Sequence, residues 1–217
     1  MRLVDAVVAG LGGAAQRSTE PATPPTRLAG LADAAPLATL LTQNREFLAP
    51  WEPVRPDEYF TEHGQLAVLG AALEQHALGT CMPRVVLDAA GEIVGRITLN
   101  GIVRGAFQSC SIGYWVSEHA NGHGLATAAV GDAVRVALDE LGLHRVQAET
   151  LLHNGASQRV LQRNGFVRIG TAPEYLQIAG HWQDHAIYQV VRPTGGSTHG
   201  LSDGSTRTSP APERLHP

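Results

Sequence analysis

Hydrophobic residues between residues 24 and 192 recur at two spacings, one typical of helices and one typical of strands. The helical spacing predicts four helices: one at 33–44, one that starts at Asp57 and includes Leu73, one at 125–142 and one at 154–163. Short apolar or alternating runs predict seven strands, at 26–31, 84–88, 92–100, 109–116, 144–151, 166–172 and 181–191. Asp33 and Asp57 are predicted to cap the first two helices, because short polar side chains accept hydrogen bonds from free helix N–H groups.

The order of these elements predicts the fold class. A strand is followed by two helices, three strands, a helix, a strand, a helix and two strands. Hairpin-spaced strands pair antiparallel, whereas strands joined through a helix can pair in parallel. The sequence therefore predicts an α/β domain, with a mixed and mostly antiparallel sheet flanked by helices.

Composition changes at both ends of the chain. Residues 1–23 are rich in Ala, Gly and Pro, and residues 193–217 contain no aromatic residue. Such segments bury too little apolar surface to offset the entropy of ordering. We expect a flexible N-terminal extension at 1–23, one domain at 24–192 and a disordered tail at 193–217.

Charge and cysteine content limit the partners and the cellular compartment that the sequence predicts. The net charge is −4 and the pI about 6.2, which argues against a nucleic-acid partner and suits a cationic acceptor such as an amine. Two cysteines without a paired motif favour a reduced, cytoplasmic setting. No apolar run approaches the ~20 residues of a membrane span, so no membrane association is expected.

The segment HANGHGLAT joins a predicted strand to a predicted helix and is a candidate phosphate loop. Gly122 and Gly124 carry no side chains to block an anion from the free N–H groups of the helix. The segment lacks the third glycine of a dinucleotide fingerprint and the Lys-Ser/Thr of a P-loop. A simple glycine-rich turn explains the segment equally well. His119 and His123 lack a third ligand at a suitable spacing, so no metal is expected.

Three longer stretches carry a family resemblance: IGYWVSEHANGHGLATAAV, HRVQAETLLHNGASQRVLQRNGFVRIG and APEYLQIAGHWQDHAIYQV. In this order and spacing they resemble the GNAT acyltransferases, and within them the ribosomal-protein-alanine N-acetyltransferases of the RimJ/RimL type. The resemblance covers about residues 26–191. It implies acetyl-CoA as cosubstrate, and a parallel strand pair that splays apart to hold the pantetheine arm.

The resemblance also implies the cofactor-binding positions. Asn121 stands where the family's loop carries Gln or Arg. Arg159 and Arg163 could meet phosphates or be solvated, and solvation is favoured for Arg159. The implied cofactor-binding residues are Tyr114, Trp115, Val116, Asn121, Gly122, His123, Gly124, Leu125, Ala126, Asn154 and Arg163.

For catalysis the resemblance implies that a neutral amine attacks the thioester. Glu174 matches the family's acidic residue and is the first candidate for the base, and Glu149 is the alternative. Ser157 would give a proton to the leaving thiolate. Backbone N–H groups near Val116 would stabilise the oxyanion.

The acceptor side is open to several interpretations. Trp51, Glu52 and Tyr175 are candidate substrate-binding residues, with Arg55 beside them, although a tryptophan is more often a core residue. The acceptor is predicted to be a protein N-terminus, such as that of a ribosomal protein. The alternatives are a small amine, such as an antibiotic or a polyamine, and a non-catalytic acyl-CoA sensor. A homodimer is common in the resembling subgroup.

Overall fold

The computed structural model describes residues 24–193. The predicted extension at 1–23 and all but the first residue of the predicted tail at 193–217 lie outside this range. The described residues form one seven-stranded sheet in the order β1-β2-β3-β4-β5-β7-β6. The strands are β1 (Thr26–Leu28), β2 (Met82–Leu87), β3 (Ile93–Val103), β4 (Ser109–Val116), β5 (Arg145–Leu151), β6 (Val167–Ile178) and β7 (His181–Val191).

Within residues 24–193, only β4 and β5 pair in parallel, and every other neighbouring pair is antiparallel. This confirms the predicted mixed sheet. The helices are α1 (Ala34–Gln43), α2 (Arg45–Leu48), α3 (Glu62–Ala77), α4 (Leu125–Arg135) and α5 (Gly155–Arg163).

The helices cover both faces of the sheet. On one face α4 and α5 contribute Val130, Ala133 and Leu161 to a core shared with Ile97 and Val146. On the other face α1 and α3 contribute Leu37, Leu41 and Leu69, which pack on Val85 and Trp115. Both cores arise because alternate side chains of a strand point to opposite faces.

Neither predicted cap accepts a capping hydrogen bond from its helix, although Asp33 does occupy the N-cap position of α1. The Asp33 carboxylate accepts hydrogen bonds from Arg27 and from the Gly30 N–H, at 2.7 to 2.8 Å, and does not cap α1. Asp57 begins a 3₁₀ turn at Asp57–Phe60 and pairs with Arg45. Thr61 caps α3, because its hydroxyl accepts from the Gly64 N–H at 3.1 Å.

Several predicted elements also differ in length, and three of them show why. β1 ends at Leu28, because Leu31–Asp33 form a 3₁₀ turn. The predicted helix at 125–142 is α4 followed by a π-helical turn at Val136–Glu140. β6 continues to Ile178 across a register shift between Ala172 and Leu176.

The parallel pair opens before its strands end. Pairing of β4 with β5 runs from Ser109 opposite Arg145 to Ile112 opposite Ala148. Beyond that point β4 continues four residues to Val116 and β5 three residues to Leu151. The sheet therefore splits near its middle, as the resemblance implied.

Candidate active site

A cleft of about 740 Å³ lies at the split between β4 and β5. Its walls come from both faces of the sheet, since residues of α2 line it together with residues of α4 and α5. It is lined by most of the residues expected from the sequence: Trp51, Glu52, Tyr114, Trp115, Val116, Asn121, Gly122, Gly124, Leu125, Ala126, Asn154, Ser157 and Arg163.

One end of the cleft is the N-terminus of α4. Gly122 and Gly124 have positive φ angles of 80° and 79°, in the left-handed region that glycine adopts without strain. The Ala128 N–H donates to the Gly124 carbonyl at 2.9 Å and closes the first turn of the helix. The N–H groups of Leu125, Ala126 and Thr127 precede this bond and are free to bind an anion.

Arg159 and Arg163 of α5 line the same cleft. Their side chains lie four residues apart on one helix, and both residues are exposed. Neither guanidinium forms an ion pair with a carboxylate among residues 24–193. Two unpaired cations beside free helix N–H groups make this end suited to phosphate. Arg159 lines the cleft and is exposed, so the expected solvation of its side chain stays a prediction.

Two backbone N–H groups of β4 face the split. The Ser117 N–H donates to the Val94 carbonyl of β3 at 2.8 Å. Hydrogen-bonding direction alternates along a strand, so the N–H groups of Val116 and Tyr114 face away from β3, toward β5. Pairing with β5 has ended there. These two donors are therefore available to a carbonyl or amide placed in the cleft.

Asn154 and Ser157 sit at the start of α5. The Asn154 side chain accepts from the Ser157 N–H at 3.0 Å, so Asn154 caps the helix. The Ser157 hydroxyl lies 2.9 Å from the Tyr114 hydroxyl. Burial raises the pKa of Tyr114 to about 12, and the hydrogen bond with Ser157 acts in the opposite direction. Tyr114 is therefore a neutral phenol that fixes the Ser157 hydroxyl beside the split.

The two candidate bases occupy different environments. Glu149 of β5 lines the cleft, and burial raises the pKa of its carboxyl group. Glu174 is exposed and lies at the register shift of β6, outside the lining of the cleft. Its φ angle is 45°, and its N–H donates to the Asp184 carboxylate at 2.9 Å. The geometry favours Glu149 over Glu174 as the proton acceptor.

The opposite end of the cleft lies beneath α2 and the segment that follows it. Trp51 is 37% exposed and its ring lies 5.5 Å from that of His153. Burial raises the pKa of the nearby Glu52 carboxyl group, while the charges of Arg55 and Arg96 oppose the rise. A mixed apolar and charged wall of this kind suits an amine-bearing chain.

Besides Glu174, three of the residues considered for the site lie outside the lining. His123 is exposed in the loop before α4, and Tyr175 is 43% exposed on β6. Arg55 stacks its guanidinium 4.7 Å from the centre of the Tyr59 ring.

The cleft is also lined by Arg96, Thr127 and His185, which were not predicted from the sequence to belong to the site. Arg96 of β3 pairs directly with Trp115 of β4. Both side chains therefore lie on the same face of the sheet, the face on which α1 and α3 pack. A single arginine or histidine within a predicted strand carries no local motif, so only the strand register reveals these residues. Thr127 was detectable, because it supplies the third free N–H of a helix whose start was correctly predicted.

Comparisons with known proteins agree with this geometry. Residues 27–167 match the family model described as an acetyltransferase (GNAT) domain. The [ribosomal protein uS5]-alanine N-acetyltransferase of Escherichia coli is 36% identical over 162 residues, covering 74% of this chain and 84% of the relative. A probable N-acetyltransferase of Bacillus subtilis, YjcK, is 33% identical, covering 71% and 86%.

Solved structures of similar proteins have the same fold. The ribosomal-protein-S5-alanine acetyltransferase of Vibrio fischeri superposes with a TM-score of 0.73 at 32% identity, covering 76% of this chain and 91% of that one. Mycobacterium smegmatis RimJ in complex with CoA-disulfide gives 0.74 at 28% identity, covering 76% and 80%. The chain belongs to the GNAT acetyltransferase family and is an N-acyltransferase.

Two features are absent from residues 24–193. No helix in this range has the length and apolar character needed to cross a bilayer. No group of three or more His, Cys, Asp or Glu side chains in the same range is placed to hold a metal ion. Cys81 and Cys110 are buried and unpaired, and burial raises the pKa of the Cys110 thiol to about 12.

Proposed function

We propose that the protein transfers the acetyl group of acetyl-CoA to the N-terminal α-amino group of a protein, with ribosomal proteins as the first candidates. The observation that carries this proposal is the cleft itself. The same cleft is lined by the N-terminus of α4, which can bind phosphate, and by the Glu149 carboxyl group, whose pKa is raised by burial.

The acceptor class rests on the relatives and on amine chemistry. The E. coli and V. fischeri relatives are named for acetylation of an alanine of a ribosomal protein. An α-amino group has a pKa of about 7.7–8.0, compared with about 10.4 for lysine, so much of it is already neutral at physiological pH. A single carboxylate of raised pKa is a sufficient base for the remaining fraction.

The proposed reaction uses residues of both walls. Glu149 takes a proton from the acceptor ammonium, and the neutral amine attacks the thioester carbonyl carbon. The N–H groups of Tyr114 and Val116 stabilise the oxyanion that forms. As the C–S bond breaks, the Ser157 hydroxyl gives a proton to the departing thiolate, and the second proton of the nitrogen restores the Ser157 hydroxyl. The products are an acetylated amine, CoA and one released proton.

The acceptor is tested with a panel of substrates and a free-thiol assay. Peptides that begin with Ala, Ser or Met are compared with aminoglycosides and polyamines, each in the presence of acetyl-CoA. We expect thiol release with peptides, and a mass increase of one acetyl group at the N-terminus. Release only with the small amines would move the function to acetylation of small molecules. Tight acetyl-CoA binding without turnover would instead indicate a sensor.

The base is tested by matched glutamine substitutions. Glu149→Gln removes the carboxylate that lines the cleft, and we expect kcat at pH 7 to fall by about tenfold, because only about a tenth of an α-amino group with a pKa near 8 is neutral there without a base. In the wild type, kcat should fall as the pH decreases through the raised pKa of Glu149. Glu174→Gln is the control. A large loss in Glu174→Gln with a near-normal Glu149→Gln enzyme would reverse the assignment.

A further inference from the structure

Arg96 of β3 is a cation in the wall of the cleft that the steps of acetyl transfer described above do not use. The residue is half-buried, and its guanidinium forms no ion pair with a carboxylate among residues 24–193. The one hydrogen bond that it donates to these residues is long, at 3.4 Å from Nη2 to the Tyr59 hydroxyl. A guanidinium carries five N–H donors, so most of those of Arg96 are free for a ligand.

Trp115 of β4 adds a second donor beside Arg96. The two residues pair directly, and directly paired side chains have Cβ atoms about 4.5–5.5 Å apart. Trp115 lines the cleft with only 9% of the residue exposed, and its buried Nε1 has no hydrogen-bond partner among residues 24–193. A buried N–H without a partner costs free energy, which an oxygen bound in the cleft would recover. Arg96 and Trp115 thus form a donor pair in the cleft wall.

The surroundings of the donor pair carry more positive than negative charge. The Tyr59 ring lies against the Arg55 guanidinium, and the buried Arg55 Nε also has no hydrogen-bond partner among the described residues. Glu52 is the cleft carboxylate near these arginines. Burial raises the pKa of Glu52, and the charges of Arg55 and Arg96 lower it. Two arginines beside one carboxylate favour an additional anion.

The donor pair and Glu149 lie on the same face of the sheet. Ala148 belongs to the core beneath α4 and α5, so Glu149 next to it faces the opposite side, where Trp115 packs. β4 separates β3 from β5, and neighbouring strands are about 4.8 Å apart, so the backbones at Arg96 and Glu149 are about 10 Å or more apart. An extended peptide advances about 3.4 Å per residue. An acceptor whose amino group lies at Glu149 therefore brings roughly its second to fourth residues to the donor pair.

A carboxylate is the ligand that suits the donor pair. A guanidinium binds a carboxylate through two parallel N–H···O bonds, and an indole N–H donates to an oxygen. The phosphates of acetyl-CoA have their own donors at the other end of the cleft, at the N-terminus of α4. Near the N-terminus of a protein, the carboxylates are the side chains of Asp and Glu. A lysine or arginine of the acceptor would be repelled at the same place.

We propose that Arg96 and Trp115 form a binding site for an Asp or Glu side chain of the acceptor, located about one to three residues after the residue that is acetylated. The site selects among N-terminal sequences and does not contact the reacting atoms. The inference rests on the proposed acetylation of protein N-termini.

The test compares acceptor peptides that differ in one side chain. The peptides begin with Ala, carry Glu, Gln or Lys at position 2, 3 or 4, and are otherwise uncharged. They end in a C-terminal amide, which removes the other carboxylate that a short peptide would offer. At one of these positions we expect kcat/KM with Glu to exceed that with Gln by about tenfold, because hydrogen bonds between charged groups contribute that much. Lys should give the lowest kcat/KM.

Variants connect this preference to the donor pair. In Arg96→Gln the ratio of kcat/KM for the Glu and Gln peptides should fall to near one, and in Trp115→Phe it should fall by a few-fold. In Arg96→Glu the Lys peptide should become better than the Glu peptide, a reversal that an unfolded protein cannot show. Arg45→Gln is the control and should keep the wild-type ratio, because Arg45 lies on α2 outside the lining of the cleft and pairs with Asp57.

The outcomes separate this site from the proposed function. Equal kcat/KM for the Glu and Gln peptides in the wild type would overturn the site and leave acetylation of N-termini standing. A ratio that survives in Arg96→Gln would also overturn it, and a raised KM for acetyl-CoA in that variant would then assign Arg96 to the cofactor. Absence of thiol release with every peptide would overturn the proposed function, and the site with it.

Discussion

At the scale of single residues, the chemistry depends on which side chains face the split in the sheet. Glu149 and Glu174 are both carboxylates that the sequence offers as the base, and the family resemblance favoured Glu174. Strand register separates them, because Glu149 faces the cleft whereas Glu174 is exposed at an irregular point of β6.

The first prediction concerns the pair formed by Tyr114 and Ser157, whose hydroxyls lie 2.9 Å apart. Ser157→Ala should lower kcat by about tenfold or less, because a thiol of pKa near 8.5 is already a fair leaving group. Tyr114→Phe should lower kcat by a few-fold, since a hydrogen bond of this kind contributes about 1 kcal/mol.

The double variant Tyr114→Phe/Ser157→Ala distinguishes positioning from independent action. If Tyr114 acts by orienting Ser157, the double variant should be no slower than Ser157→Ala alone. Steady-state kinetics with a saturating peptide acceptor measure this. Losses that multiply in the double variant would show that the two hydroxyls act separately.

At the scale of elements, the loop before α4 and the start of α5 form the cofactor end of the cleft. Gly124 occupies the N-cap position of α4 with a φ angle of 79°. Gly142, beyond the π-helical turn that follows α4, has a φ angle of 66°. The two glycines share a backbone conformation but differ in their distance from the cleft.

Gly124→Ala and Gly142→Ala therefore form a matched pair. Each should destabilise the protein by about 1–2 kcal/mol, because a left-handed conformation strains a residue that has a Cβ atom. Only Gly124→Ala should raise KM for acetyl-CoA, by about tenfold, because it changes the phosphate loop. Thermal melts and acetyl-CoA titrations measure both effects. An equal rise in KM for Gly142→Ala would show that the effect on acetyl-CoA binding is not specific to the phosphate loop.

The sequence predicted the type and order of the main elements because their hydrophobic spacings are strong. Element ends were harder, since Asp33 and Asp57 have the chemistry of caps but use their carboxylates for Arg27 and Arg45. The full length of β6 was missed because residues 173–175 contain a proline and an irregular backbone. The position of His185 in the cleft was unpredictable from local sequence, because it depends on the pairing of β7 with β5.

At the scale of the whole molecule, a buried ionic network ties the edge of the sheet to α4. The Asp132 carboxylate accepts hydrogen bonds from Thr26 at 2.5 Å and from Arg84 at 3.3 Å. The side chains of Asp132 and Arg84 are only 7% and 12% exposed. Burial favours the neutral carboxyl group, but hydrogen bonds from Thr26 and Arg135 and the nearby cations hold the pKa of Asp132 below its usual value.

Asp132→Asn should lower the free energy of unfolding by about 2–3 kcal/mol at neutral pH, because it leaves the buried Arg84 without a counter-charge. The difference from wild type should shrink as the pH falls through the depressed pKa of Asp132, since the wild type loses the same charge there. Urea unfolding at several pH values measures this. Asp57→Asn, at an ion pair whose carboxylate is 88% exposed, is the control and should change little. A pH-independent deficit in Asp132→Asn would contradict the account.

The most direct test of the central claim is a crystal structure of the protein with acetyl-CoA. The account predicts the pyrophosphate on the N–H groups of Leu125, Ala126 and Thr127. It also predicts the pantetheine arm between β4 and β5, and the thioester carbonyl within hydrogen-bonding distance of the Tyr114 or Val116 N–H. Acetyl-CoA bound elsewhere, or a thioester on the far side of the sheet from Glu149, would contradict it.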